Sequence, residues 1–238
     1  RWAQGRIGFH RPEVNPYLRA YWQRLDLRSG DRVLVPLCGK SVDLPWLAEQ
    51  GLEPVGVELS ERAVEALFAE HGIEAARAVR GALALWRGGG IAAYAGDFFD
   101  LEPAEVGPLA AAWDRAALIA LPADMRARYA CHCARLMPSG ARILLVTMAY
   151  ADDGVEGPPF SVPPAAVESL YAPWFEITAL EQDVAGDAPG DLRAQGVEEV
   201  HESVWLLTRN KRRMSQAPAR GGCEAMRGVD RTSESSAG

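Results

Sequence analysis

Residues 32 to 58 constrain this chain more than any other stretch. Arg32-Val33-Leu34-Val35 is a β-branched apolar run that stops at Pro36. It passes through Leu37, Cys38 and Gly39 into a helix-starting stretch, Lys40-Ser41-Val42-Asp43-Leu44. About twenty residues on, a second apolar run, Pro54-Val55-Gly56-Val57, ends in Glu58. A strand, a tight glycine turn, a helix and a second strand closing on a carboxylate is the unit with which a doubly wound sheet holds a nucleoside. The turn lets the backbone approach a ligand, and Glu58 sits where it can accept hydrogen bonds from both ribose hydroxyls.

The 238 residues suffice for one large α/β domain or two small ones, and 48% hydrophobic residues supply a full core. The net charge of −7 argues against nucleic acid as a partner. From Asn210 onward six Lys/Arg stand against three Asp/Glu, which leaves 19 basic and 29 acidic residues in the body. That tail has almost no apolar content, so residues 210–238 are expected to be disordered. Four cysteines make no disulfide framework, and reduced thiols would fit a cytoplasmic protein. Cys131-His132-Cys133 has the residue types of a metal site. On a helix, however, positions i and i+2 do not share a face, and no second ligand pair exists, so no metal is expected. No apolar run approaches a membrane span, and no leader pattern opens the chain.

Alternation along the chain predicts a doubly wound α/β fold with a mostly parallel, seven-stranded sheet and helices on both faces. The strand candidates are Arg32–Pro36, Pro54–Glu58, Ile91–Ala95, Ala110–Trp113, Arg142–Tyr150, Phe175–Leu180 and Ser203–Thr208. Helices are expected over Asp43–Gln50, Glu61–Glu70, Ala123–Leu136 and Pro164–Leu170, with Ser60 as an N-cap and a further helix starting at Asn15-Pro16. The last two strands lack a clear helix between them, which allows an antiparallel final strand. The stretch around Pro158-Pro159-Phe160 and that from Asp183 to Gly196 read as long loops at the carboxyl edge of the sheet, where such folds bind ligands.

The turn narrows the ligand. A phosphate loop ending in Gly39-Lys40-Ser41 needs a glycine at position 34, which is Leu. The G-x-G-x-x-G dinucleotide pattern is also absent. A nucleoside without phosphate remains, and S-adenosylmethionine suits the site; the alternative is a sheet of this type with no ligand. Asp97, after the third strand, either bonds an adenine amino group or caps a turn. Asp114-Arg115, closing the fourth strand, is either a site pair or a surface pair.

Gly8-Phe9-His10, Pro36 to Ser41, Val55 to Ser60, Asp97-Phe98-Phe99, Trp113-Asp114-Arg115 and Gly157-Pro158-Pro159-Phe160, in this order and spacing, resemble the thiopurine S-methyltransferase family of class I S-adenosylmethionine-dependent methyltransferases. The resemblance covers residues 1 to about 209. It implies a Rossmann-like methyltransferase domain over 31–209 and an N-terminal helical cap over 1–30. It implies that Trp2, Leu37, Glu58, Asp97, Phe98 and Arg115 bind the cofactor and that Phe9 and Arg115 face the substrate. The family's second pocket arginine falls on Asp191 here, with Arg193 two residues further on as a substitute.

The activity so implied is methyl transfer from S-adenosylmethionine to the sulfur of a small thiol or thiopurine, extending to selenium or tellurium oxyanions, in a monomer acting without nucleic acid or membrane. Arg115 is the candidate catalytic residue. The alternatives are a small-molecule O- or N-methyltransferase and a non-catalytic S-adenosylmethionine-binding protein.

Overall fold

The computed structural model describes residues 13–151 and 154–210. Trp2, Phe9 and the tail from Lys211 lie outside them. Nine strands form one sheet: β1 (Arg32–Pro36), β2 (Glu53–Glu58), β3 (Ala76–Arg80), β4 (Leu83–Gly88), β5 (Ile91–Ala95), β6 (Ala111–Asp114), β7 (Arg142–Ala149), β8 (Phe175–Asp187) and β9 (Glu199–Arg209). Their order is β3-β4-β5-β2-β1-β6-β7-β9-β8. The helices are α1 (Pro16–Tyr21), α2 (Asp43–Glu49), α3 (Glu61–Glu70), α4 (Pro103–Val106), α5 (Ala117–Ala120), α6 (Ala123–Leu136), α7 (Pro164–Tyr171) and α8 (Gly190–Arg193).

Two-residue periodicity divides the core between the two faces of the sheet. Val33 and Val35, Ala111 and Trp113, and Leu144 and Val146 meet Leu18 of α1, Leu44 and Leu47 of α2, and Val64, Leu67 and Phe68 of α3. Leu34, Val55, Val57, Ile143 and Leu145 meet Leu118 of α5, Tyr129 and Leu136 of α6, and Val167 and Tyr171 of α7. The central strands are therefore apolar on both faces, as buried parallel strands must be.

Two features of the expected sheet need correction. It has nine strands rather than seven, and parallel pairing is confined to β5-β2-β1-β6-β7. The four outer pairings are antiparallel. The additional strand β3, Ala-Arg-Ala-Val-Arg, is exposed throughout, whereas β4 alternates the buried Leu83 and Leu85 with more exposed residues. A Gly89-Gly90 turn, with φ of +55° and +78°, folds β4 back onto β5. The final strand is antiparallel, as the sequence allowed. Asp183 to Gly196 is not a continuous loop: it contains the end of β8, displaced by a bulge, and the short helix α8. Ser60 precedes α3, but its side chain makes no capping hydrogen bond. Cys38 and Cys133 are buried free thiols. Among the described residues, no helix is long and apolar enough to cross a membrane.

Candidate active site

Four neighbouring strands, β5, β2, β1 and β6, end on one edge, and a residue singled out above stands at or just after the end of each. At strand spacing they span roughly 14 Å, enough for an extended nucleoside joined to an amino-acid tail. After β1 the chain turns sharply. Leu37 has φ of +48°, a conformation that strains any residue with a Cβ, and Gly39 has φ of +54°. The turn is held by the Cys38 N–H donating to the Val57 carbonyl at 3.0 Å. It also lies directly on β2. A Cβ on Gly56 would stand 2.8 Å from both Cys38 Sγ and Leu44 Cδ2, so only glycine permits this approach.

Glu58 ends β2 beneath that turn. Its Oε2 accepts the Gly39 N–H at 3.0 Å, and its Oε1 accepts the Ser60 N–H at 2.9 Å. Burial raises its pKa, and the backbone donors offset this in part. Each carboxylate oxygen keeps a lone pair beyond these two bonds. A buried, incompletely satisfied carboxylate fits a pair of ribose hydroxyl donors. The next residue, Leu59, is 74% exposed. An apolar side chain left bare beside a buried carboxylate suits one face of a nucleoside.

The Gly96 N–H donates to the main-chain carbonyl of Glu58 at 2.9 Å, which places the turn after β5 beside the end of β2. There Asp97 caps a one-turn 3-10 helix, Phe98–Asp100, by accepting the Phe99 N–H at 2.9 Å. Phe98 is buried rather than presented to solvent, with its ring against Tyr129 and His132.

Asp114, 2% exposed, ends β6. Its Oδ1 accepts the Ala117 and Leu118 N–H groups at 3.0 and 3.3 Å, and its Oδ2 accepts the Tyr129 hydroxyl at 2.7 Å. Burial drives its pKa up to about 6. Arg115, half-buried, follows it at the edge. The proline-rich segment is anchored on α5, on α6 and on the residue after β7. The Phe160 N–H donates to the Ile119 carbonyl at 2.7 Å, Tyr150 Oη donates to the Pro159 carbonyl at 2.7 Å, and Arg126 Nη1 donates to the Ser161 carbonyl at 3.0 Å.

Leu37, Glu58, Asp97 and Arg115 thus share one edge on adjacent strands. Arg193 does not join them in the same way. It lies on α8, between β8 and β9, beyond β7 in the sheet order, and its guanidinium donates to the Ala188 carbonyl at 3.1 Å. Asp191 is exposed on the same helix. Sequence reasoning missed Asp43, whose carboxylate is buried. It accepts the Asn15 N–H and the Trp113 indole N–H, both at 2.9 Å, and so ties the N-terminal segment to the β1 turn and to β6. It also missed Leu59, whose only signal is an apolar residue directly after a strand-ending carboxylate.

A profile of the family "Thiopurine S-methyltransferase (TPMT)" matches residues 1–210. The chain belongs to the thiopurine S-methyltransferase family. Two proteins named thiopurine S-methyltransferase illustrate the distance. One from Pseudomonas putida is 47% identical over 210 residues, covering 88% of this chain and 96% of its own. One from Pseudomonas syringae pv. tomato is 46% identical over 213 residues, covering 89% and 96%. The fold is similar to that of a Methanosarcina mazei SAM-dependent methyltransferase, with a TM-score of 0.57 at 15% identity, covering 83% of this chain and 99% of that one. It is likewise similar to the N-terminal domain of EvdMO1 with SAH bound, with a TM-score of 0.54 at 18% identity, covering 83% and 82%. As a member of this family, the chain is an S-adenosylmethionine-dependent methyltransferase.

Proposed function

We propose that this enzyme methylates the sulfur of a small-molecule thiol or thiopurine, with Arg115 as the residue that serves the acceptor. The observation that carries this reading is the order of groups along the edge. The strained turn at Leu37 and Gly39 is central, the carboxylate of Glu58 and the turn at Asp97 lie to one side, and Arg115 lies to the other. Two neighbours in the family, both named for thiopurines, supply the acceptor class.

S-adenosylmethionine, when bound, supplies a methyl carbon made electrophilic by a sulfonium. The chain's own residues do the rest. Glu58 accepts from the ribose hydroxyls, Leu59 covers the nucleoside's apolar face, and the turns at Leu37 and Asp97 fix the two ends. Arg115 cannot lose its proton, so it offers a fixed positive charge and several donors to an anionic sulfur or a purine nitrogen. A thiolate is already the reactive form, so no proton-abstracting residue is required. Holding the sulfur in line and excluding water supply most of the rate enhancement. Pro158, Pro159 and Phe160, clamped to α5 beside Arg115, form the wall that excludes it. Residues 1–30 would serve as a cap over the cofactor site, with 31–209 as the catalytic domain and 210–238 as an appended tail. In this reading Arg193 stands in for the arginine that Asp191 replaces.

Two variants divide the roles. Glu58→Ala is expected to weaken S-adenosylhomocysteine binding by about 2 kcal/mol or more, read by titration calorimetry. Arg115→Met is expected to lower kcat/KM for a thiopurine roughly ten- to a thousandfold while cofactor-product affinity falls much less. Normal turnover with a collapsed affinity would make Arg115 a cofactor residue only. No turnover of any thiol, thiopurine, selenite or tellurite by the unaltered enzyme would refute the acceptor class.

A further inference from the structure

The buried carboxylate behind Arg115 is larger in effect than a helix cap. Asp114 binds two consecutive features of the next element, the Ala117 and Leu118 N–H groups, through one oxygen. Its other oxygen is held by the Tyr129 hydroxyl of α6. Arg115 and Ala116 are the only residues between the carboxylate and the N–H groups it grips. The backbone of Arg115 is therefore closed into a small ring whose clasp is the Asp114 carboxylate. The same short helix carries the Ile119 carbonyl that receives the Phe160 N–H. One carboxylate thus sets both the turn that carries the arginine and the short helix that anchors the proline-rich segment.

We propose that Asp114 and Tyr129 are positioning residues for methyl transfer: the ionised Asp114 carboxylate, steered by the Tyr129 hydroxyl, fixes the turn that aims Arg115 at the acceptor. This rests on the reading of Arg115 as the acceptor-side residue.

The chemistry makes the clasp dependent on protonation. An ionised carboxylate accepts strongly from two N–H groups at once, and a protonated one accepts weakly. The groups that face Asp114 from the packed helices are Tyr129 and Cys133 of α6 and Tyr171 of α7. Burial pushes all three up, so they stay neutral, and Asp114 is the group among them that titrates in the acid range. The Tyr129 hydroxyl and the two backbone donors hold its pKa down against a larger effect of burial. The clasp is closed above about pH 6 and loosens below it.

The test is the pH profile of kcat/KM for the full chain, with an electron-poor arylthiol that stays ionised across the acid range as acceptor. The unaltered enzyme should lose activity as pH falls through about 6. Tyr129→Phe removes one bond that favours the ionised form, so this acid limb should move to higher pH by about half a unit or more. Its S-adenosylhomocysteine affinity at neutral pH should stay close to that of the unaltered enzyme. Asp114→Asn, if it folds, should show no acid limb and a uniformly reduced kcat/KM. An acid limb that stays in place in a folded Tyr129→Phe enzyme overturns the proposal. Arg115→Met, measured alongside, separates the two readings. If it collapses kcat/KM while the Tyr129→Phe limb does not move, only the positioning role fails. If it leaves kcat/KM unchanged, the acceptor role of Arg115 fails and the positioning role fails with it.

Discussion

His132 shows how a single buried side chain can leave a mark on the whole stability curve. It is 4% exposed, edge-on to the rings of Phe98 and Phe99, under the turn that begins at Asp97. Arg135, anchored by Glu102, approaches its Nδ1 at 3.3 Å, so the ring proton belongs on Nε2. Burial, reinforced by Arg135, lowers its pKa to about 4. The ring is therefore neutral in the folded enzyme and readily protonated in the unfolded chain. Its contribution to stability is complete above the ordinary histidine pKa of 6.5 and is lost as pH falls through about 4. Asp114 runs the other way. Its raised pKa means a contribution that is complete below 3.8 and lost as pH rises through about 6. Over the same acid window the two nearly offset each other. His132→Gln removes one of them. Relative to the unaltered enzyme, the variant should gain roughly 3 kcal/mol between neutral pH and pH 4, a figure that follows from the size of the shift. Urea midpoints at several pH values would show it, and a difference between the two proteins that does not vary with pH would remove His132 as the source.

Among the elements, the segment before the prolines and the α8 region are joined by the packing of Val155 on the Leu192 cluster and by one exposed residue. Gln195, after α8, accepts the Glu156 N–H at 2.8 Å and donates to the Glu156 carbonyl at 2.9 Å. Its amide pairs with that backbone as a neighbouring strand would. Glu156 directly precedes Gly157-Pro158-Pro159-Phe160, so this clasp links the proline-rich segment to the helix that carries Arg193. Gln195→Ala should loosen the wall without touching the ribose side. The expected outcome is a KM for the acceptor raised about three- to tenfold, near 1 kcal/mol, with S-adenosylhomocysteine affinity unchanged. A KM equal to that of the unaltered enzyme would show that the wall holds without the clasp. Contacts of this kind explain what could be read in advance and what could not. The turn at Gly39 and the carboxylate at Glu58 were legible because backbone sterics and a buried strand dictate their residue types locally. Gln195 and Asp43 were not, since their partners lie 39 and 28 residues away and nothing nearby marks either as special. Asp97 caps the turn after β5, next to the end of the strand that carries Glu58.

At the scale of the molecule, the sheet has a rigid centre and at least one soft margin. The central strands could be read because burial on both faces demands unbroken runs such as Val33-Leu34-Val35 and Ile143-Leu144-Leu145-Val146. β3 escaped because every residue of Ala76–Arg80 is exposed, so no apolar pattern was needed to make it. Among the described residues it pairs with β4 alone, and Val79 is 68% exposed. Hydrogen bonding to one neighbour, with the exposed Arg77–Glu61 pair beside it, is a weak hold. Such a strand should open locally, while β1, β2, β5, β6 and β7 open only when the whole domain does. Native-state hydrogen exchange distinguishes the two. Amides of β3 should exchange with protection several kcal/mol below those of the five central strands. A ligand sharpens the test, because it stabilises against every opening that destroys its site. With S-adenosylhomocysteine at a hundredfold its Kd, amides that need global unfolding should gain about 2.7 kcal/mol of protection. Amides of β3 should gain almost nothing, since β3 can leave while Leu37, Glu58 and Asp97 stay in place. If β3 gains as much as β1, its opening is the opening of the site, and the margin of this sheet belongs to the cooperative unit that holds the cofactor.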